Sequence, residues 1–377
     1  MTSDEIAFNR PFTTGAELDY IADALSRGHV SGDGHYTRAA TALISALVGV
    51  PDVLLTTSCT HALEMAALLL NLCPGDEVIM PSFTFVSTAN AFALRGALPV
   101  FVDIRPDTLN IDERHIEAAI TARTKAIVVV HYAGVACEMD EISAIARRHN
   151  VSIIEDNAHG FGGTYKGTPL GTMSDLATLS FHETKNIHCG EGGALLINKP
   201  EYGERAEIIR EKGTNRSRFF RNQVDRYTWV DVGSSYLPSD MLAAFLTAQL
   251  EDFDAIQSRR LSIWTRYKSD LTPLAEAAGF QLPTVHEHNR HPAHLFWLLA
   301  PDLKTRQRFI GFLGDHGIRA VFHYVPLHSS EHGRKYGDRN LPVTDSVSDR
   351  LVRLPLYAGL RPDELDRIVE TSLKFEQ

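Results

Sequence analysis

Apolar residues recur along this chain at helical spacing and in short continuous runs, and the two patterns alternate. Leu18, Ile21, Ala22 and Leu25 share one face of a helix that Thr13 or Thr14 can cap and Gly28 closes. Asp52-Val53-Leu54-Leu55 predicts a short strand, and residues 62–72, rich in good helix formers, predict a helix stopped by Pro74-Gly75. Further strands are predicted over 77–80, 99–103, 126–130, 151–155 and 176–179, with helices over 86–94, 113–120 (capped by Asp112) and 141–149. Near-continuous apolar strands separated by helices predict an α/β fold with a mainly parallel sheet covered on both faces.

Beyond about residue 240 the pattern changes. A long helical stretch carries Ala243, Leu246, Leu250, Ile256 and Leu261 to Leu271 and is broken by Pro273. Strands are then predicted over 294–299 and 320–325, and helices over 306–316 and 362–375. The expected division is a large domain over 1–245 and a smaller α+β C-terminal domain over 246–377, with no internal repeat.

Ligands on parallel sheets gather at the carboxyl ends of strands, and three features fall there. One strand runs into Glu155-Asp156-Asn157-Ala158-His159, and another is followed by Ser180-Phe181-His182-Glu183-Thr184-Lys185-Asn186. Between the first strand and its helix lies Thr56-Thr57-Ser58-Cys59-Thr60-His61, whose backbone N–H groups and helix dipole suit a phosphate. Taken singly, these are an ordinary turn lysine, a loop carboxylate and a helix cap. Together they form the set a pyridoxal phosphate site needs. The lysine supplies the amine for the cofactor's aldehyde, and the aspartate holds a proton on its pyridine nitrogen.

Composition narrows the partners. The 377 residues carry 37 basic and 47 acidic side chains, a net charge of −10, with no long basic run, so neither nucleic acid nor anionic membrane is the expected bulk partner. No apolar run approaches the roughly 20 residues needed to span a bilayer. The N-terminus, Met1-Thr2-Ser3-Asp4-Glu5, is acidic and polar, unlike a signal or transit peptide. Four cysteines without Cys-x-x-Cys spacing, Cys59, Cys73, Cys137 and Cys189, read as reduced thiols of a cytoplasmic protein. A Cys59–His61 nucleophile pair, its thiol pKa lowered at a helix start, is the competing reading of that segment. The run His286-Glu287-His288-Asn289-Arg290-His291-Pro292-Ala293-His294 reads as a loop of mostly solvated histidines, with metal binding as its alternative. No Gly-x-Gly-x-x-Gly follows the first strands, which disfavours a nicotinamide dehydrogenase.

The segments 81–90, 155–159 and 180–186, in this order and spacing, resemble the DegT/DnrJ/EryC1/StrS nucleotide-sugar aminotransferases, and the likeness runs from Gly32-Asp33-Gly34 to Arg353-Leu354-Pro355-Leu356. The resemblance implies the fold type I architecture of aspartate aminotransferase and pyridoxal 5'-phosphate as cofactor. It implies Lys185 as the Schiff-base lysine and proton shuttle, Asp156 as partner of the pyridine nitrogen, and His159 near the ring's phenolic oxygen. Phe85 falls at the position that stacks on the ring; Cys59, Thr60 and Ser180 fall at the phosphate; Tyr324 and His328 fall near the sugar nucleotide. Lysine at 185, where the dehydratase branch has histidine, implies nitrogen transfer instead of elimination.

Within the family, residues 81–92, 131–140 and 208–217 look like members that move an amino group from L-glutamate to C4 of a dTDP-linked 4-keto-6-deoxy sugar. A UDP-linked 4-keto pentose, a GDP-linked 4-keto-6-deoxymannose and a non-catalytic sugar-nucleotide-binding role are the alternatives. A homodimer with active sites at the interface is also implied. Many relatives send an asparagine across that interface to the partner's cofactor phosphate. Leu237 stands in that slot here and cannot donate a hydrogen bond, leaving Ser235, Ser239 or a water for the task.

Overall fold

The computed structural model describes residues 5–375. A seven-stranded sheet organises the first two hundred residues, in the order β1 (Asp52–Thr56), β9 (Gly193–Ile197), β8 (Leu176–Ser180), β5 (Ser152–Asp156), β4 (Thr124–Val130), β2 (Glu77–Pro81), β3 (Leu98–Val102). Only β9 is reversed; it pairs antiparallel with both β1 and β8, while the other neighbours run parallel. Short strands β6 (Thr164–Tyr165), β7 (Thr168–Pro169) and β10 (Asn289–Arg290) form a small separate sheet.

Strand alternation divides the apolar residues between two faces. Val78, Met80, Ala126, Val128, Ile154 and Leu195 face α3 (Cys59–Leu69), α4 (Val86–Ala93) and α7 (Gly203–Arg210). Their neighbours Ile79, Ile127, Val129 and Ile153 face α6 (Met139–His149). Toward β1, Val53, Leu55, Leu179 and Leu196 pack under α1 (Glu17–Ser26), α2 (His35–Val48) and α9 (Asp240–Glu251). Asp240 fixes that last layer, taking the N–H groups of Tyr36 and Thr37 at the start of α2 at 3.1 and 2.7 Å.

The C-terminal part has its own core, built by α10 (Phe253–Asp270), α11 (Thr272–Ala278), β11 (Phe296–Leu299), α12 (Leu303–Asp315), β12 (Leu351–Leu354) and α14 (Pro362–Leu373), joined by Ile6. Several expectations are corrected here. The long helical stretch is interrupted at Asp252; it does end at Asp270, as the break at Pro273 requires, but Pro273 then opens α11, where its missing N–H costs nothing. Only an isolated bridge, Val321 with Arg353, forms within the strand expected over 320–325, because β12 gives its ladder to β11. Residues 113–115 are a 3₁₀ turn before the short α5 (Ile116–Ala119). At α1 the Thr14 hydroxyl accepts from the Ala16 N–H at 3.2 Å while Glu17 takes the N–H groups of Thr14 and Gly15, so the entry is held by a carboxylate inside the helix. No helix among the described residues is long and apolar enough to cross a membrane.

Candidate active site

The carboxyl ends of β1, β2, β5 and β8 converge on a cavity of about 800 Å³. At its floor α3 begins. Ser58 is extended, and its hydroxyl accepts from the His61 N–H at 3.1 Å, as an N-cap does. The N–H groups of Cys59 and Thr60, in the first turn, have no acceptor within the helix and add to its dipole. The Thr60 hydroxyl donates to Ser87 at 2.8 Å, tying this turn to α4. Gly193 of β9 closes the cradle from behind: a β-carbon there would lie 2.4 Å from the Cys59 nitrogen. Gly193→Ala therefore pushes the turn out of place, at an expected cost of about 1–3 kcal/mol together with weaker retention of the cofactor. Thermal melting and the bound absorbance after gel filtration check both.

The Cys59–His61 nucleophile reading does not survive. His61 Nδ1 pairs with the Thr57 hydroxyl, while the Cys59 thiol donates to Thr178 at 3.4 Å. Burial pushes this thiol up, outweighing any help from the helix start.

Asp156 ends β5 and is 5% exposed. The Thr88 hydroxyl donates to its Oδ2 at 2.7 Å, and the Ala158 N–H to its Oδ1 at 3.2 Å. Burial raises its carboxyl, and the Thr88 and Ala158 bonds and the Lys185 charge work against that rise. Glu155, one residue earlier, points to the opposite face of the sheet, where it meets His131 at 2.9 Å and the N–H groups of Gly171 and Met173. Two adjacent carboxylates thus have separate surroundings.

Lys185 lies in the tight turn after β8, its N–H bonded to the His182 carbonyl at 2.8 Å. Removal of its amine from water lowers the pKa to about 8, against the pull of Cys59 and Asp156. His159 is buried and stacks on His294, with ring centroids 4.2 Å apart. Its Nδ1 has no hydrogen-bond partner, and burial holds the ring neutral. An orphaned imidazole nitrogen, a half-dehydrated amine and a carboxylate around one cavity, with free N–H groups at one end, fit a phosphorylated pyridine aldehyde.

Cys59, Thr60, Phe85, Asp156, His159, Ser180, Lys185 and Tyr324 all line this cavity. Phe85 stands at the start of α4 with 57% of its surface exposed, its ring 6.4 Å from that of Tyr324. His328 is not brought to the wall. It is buried beneath, its Nδ1 2.7 Å from the Ser82 hydroxyl and its Nε2 3.4 Å from Asp345. His294, His323 and Arg353 also line the cavity and were not singled out from the sequence. The sequence pattern places His294 in a solvated loop, but it is 7% exposed and bonded to Asn186, and none of the run's four histidines is exposed. Among the described residues no three His, Cys, Asp or Glu side chains are grouped to hold a metal. Leu237 packs against Gly32 of its own chain, and the Ser239 hydroxyl is committed to capping α9.

Known proteins share this sequence and fold. Spore coat polysaccharide biosynthesis protein SpsC of Bacillus subtilis is 33% identical over 97% of this chain and 95% of its own. The aminotransferase TlmJ from Streptoalloteichus hindustanus superposes with a TM-score of 0.90 at 29% identity, covering 98% of each chain. The PLP-form of Spr1654, a sugar aminotransferase homologue from Streptococcus pneumoniae, gives 0.90 at 28% identity, over 98% of this chain and 97% of that one. Residues 12–372 match the DegT/DnrJ/EryC1/StrS aminotransferase family, so the chain belongs to it, as a sugar aminotransferase of fold type I whose cofactor is pyridoxal phosphate.

Proposed function

We propose that the chain moves the amino group of L-glutamate to C4 of dTDP-4-dehydro-6-deoxy-D-glucose, giving dTDP-4-amino-4,6-dideoxy-D-galactose, as a cytoplasmic homodimer. The observation that carries this reading is that residues 81–92, whose sequence looks like the dTDP-sugar branch, supply the cavity wall through Thr84, Phe85 and Ser87. When bound, pyridoxal phosphate supplies an electron sink and carries the nitrogen from donor to acceptor. Cys59 and Thr60 would hold its phosphate by their N–H groups and Ser180 by its hydroxyl. Asp156 would keep a proton on the ring nitrogen, Phe85 would pack on the ring, and His159, whose Nδ1 has no partner among the described residues, would serve the phenolic oxygen. Lys185 takes the proton from the donor's α-carbon and returns one at sugar C4. Tyr324, on the cavity wall, would meet the sugar, while His328 lies behind that wall, bonded to Ser82.

Each 4-keto sugar nucleotide, incubated with enzyme and glutamate and read by mass spectrometry, separates the candidates. Amination of the dTDP sugar is expected. Amination of the UDP pentose or GDP-deoxymannose alone would overturn the assignment. The dimer is supported by apolar side chains left outward on residues 213–235: Phe220, Trp229, Val230 and Val232 are all exposed, Trp229 by 77%. Light scattering should return twice the 41.8 kDa of one chain.

The lowered Lys185 pKa has a direct kinetic consequence. Only the neutral amine attacks an aldehyde, so uptake of pyridoxal phosphate by the apoprotein should quicken about tenfold per pH unit up to about pH 8, then level off. Stopped-flow absorbance reads the profile. A rise continuing past pH 10 would mean that the amine titrates as an ordinary lysine.

A further inference from the structure

Asn186, the residue after Lys185, fixes the state of a histidine in the cavity wall. Its side chain is buried, and its amide nitrogen donates to the Pro292 carbonyl at 2.7 Å and to Gln257 Oε1 of α10 at 2.9 Å. A carbonyl can only accept, so the nitrogen of Asn186 points there and its Oδ1 points the other way. That oxygen lies 2.9 Å from Nδ1 of His294. It too can only accept, so Nδ1 carries the proton of the ring. Nε2 of His294 is therefore a bare lone pair.

Among the described residues nothing bonds that Nε2. The ring is 7% exposed and lines the cavity, so what remains open of it faces the ligand space. Stacking on His159, with centroids 4.2 Å apart, sets its plane, and the charge of Lys185 acts on it. Burial holds the ring neutral, so it receives a hydrogen bond without removing the proton. His323 differs. Its Nδ1 meets the Tyr132 hydroxyl at 2.9 Å, and a hydroxyl both gives and takes, so that contact leaves its tautomer free.

We infer that His294 selects the sugar by taking a hydrogen bond at Nε2 from the hydroxyl on C3, next to the reacting carbon, and that Asn186 is the positioning residue that sets its tautomer. A bare acceptor turns away a carboxylate, a phosphate or a keto oxygen, because none of them can donate. In a 4-keto-6-deoxy hexose C5 bears the ring oxygen and a methyl group, which leaves the C3 hydroxyl as the only donor on either side of C4. A buried acceptor that is filled by one substrate and left empty by its analogue discriminates strongly between them. The inference rests on the proposed 4-keto sugar as nitrogen acceptor and not on which nucleotide it carries.

Single turnovers of the sugar half-reaction, by holoenzyme already charged with nitrogen from glutamate, test it. The substrates are the 4-keto sugar nucleotide that wild type aminates and its 3-deoxy and 3-fluoro analogues. Fluorine keeps the acceptor of a hydroxyl but has no proton to give. The analogues differ in ketone reactivity, so the readout is how far the preference for the natural sugar changes between enzymes. His294→Phe keeps a ring to stack on His159 but has no nitrogen, and should lower the preference over both analogues about 30-fold. His294→Gln offers Asn186 a donor and the cavity an acceptor, and should restore most of it. Asn186→Leu frees the ring to carry its proton on either nitrogen and should lower the preference about tenfold. An unchanged preference in His294→Phe, or a loss confined to the glutamate half-reaction, would overturn the assignment. If His294→Phe does not fold, the preference of Asn186→Leu decides in the same way. Wild type that aminates no 4-keto sugar nucleotide refutes the reading of the acceptor, whereas amination without regard to the 3-hydroxyl refutes this inference alone.

Discussion

Lys185→Ala is expected to cut amino transfer by about 10⁴-fold or more, because in the proposed reaction the same amine would both bind the cofactor's aldehyde and relay the proton. Among the described residues no other amine lines the cavity, and the nearby imidazoles of His159, His294 and His323 are buried and held neutral. Borohydride treatment of wild type should leave a pyridoxyl mass on the peptide bearing Lys185, and on no peptide of the variant. The fold should not suffer. In the unfolded chain this lysine binds its proton up to about pH 10.5, whereas in the native apoprotein it releases it near 8. The native state therefore carries a cost that is complete below pH 8 and fades as the pH rises toward 10.5. Removing the amine removes that cost, so the variant apoprotein should melt higher than wild type at pH 7. A variant that melts lower would show that the lysine stem packs against its surroundings more than its charge strains them.

The sheet was legible because its strands are buried on both faces and read as continuous apolar runs, as in Val128, Val129 and Val130. The lysine, the aspartate and the phosphate turn were legible because each sits within a few residues of such a strand. What stayed hidden depends on long-range placement. Arg353 lies on a four-residue strand with no local motif, and only the fold brings it beside Lys185. His294 sits in a run with Pro292 and irregular spacing that reads as a surface loop. Its burial comes from Asn186, 108 positions away, which bonds its ring while gripping Gln257 and the Pro292 carbonyl. His328 is displaced the other way: Val325 of its segment lines the cavity, but Ser82 draws the ring inward and away from the wall.

The second large effect is expected at Asp156→Asn. An amide fits the same space and can still meet Thr88 and Ala158, so the fold and the phosphate cradle should persist and the cofactor should remain bound. What would be lost is the negative charge proposed to face the ring nitrogen, without which a proton there would no longer be stabilised in a buried site. A fall in both half-reactions of about 10³-fold is expected, roughly 4 kcal/mol of lost transition-state stabilisation. Thr88→Val separates charge from its tuning. Thr88 holds the carboxyl down by one hydrogen bond against the upward push of burial. Removing it should raise the Asp156 pKa and cost activity chiefly at low pH, where the carboxyl then takes up a proton. As pH rises and the carboxylate reforms, most of the loss should be recovered, whereas Asp156→Asn should stay inactive across the range. If both variants lost activity equally at every pH, the hydroxyl would be positioning the carboxylate instead of setting its ionisation.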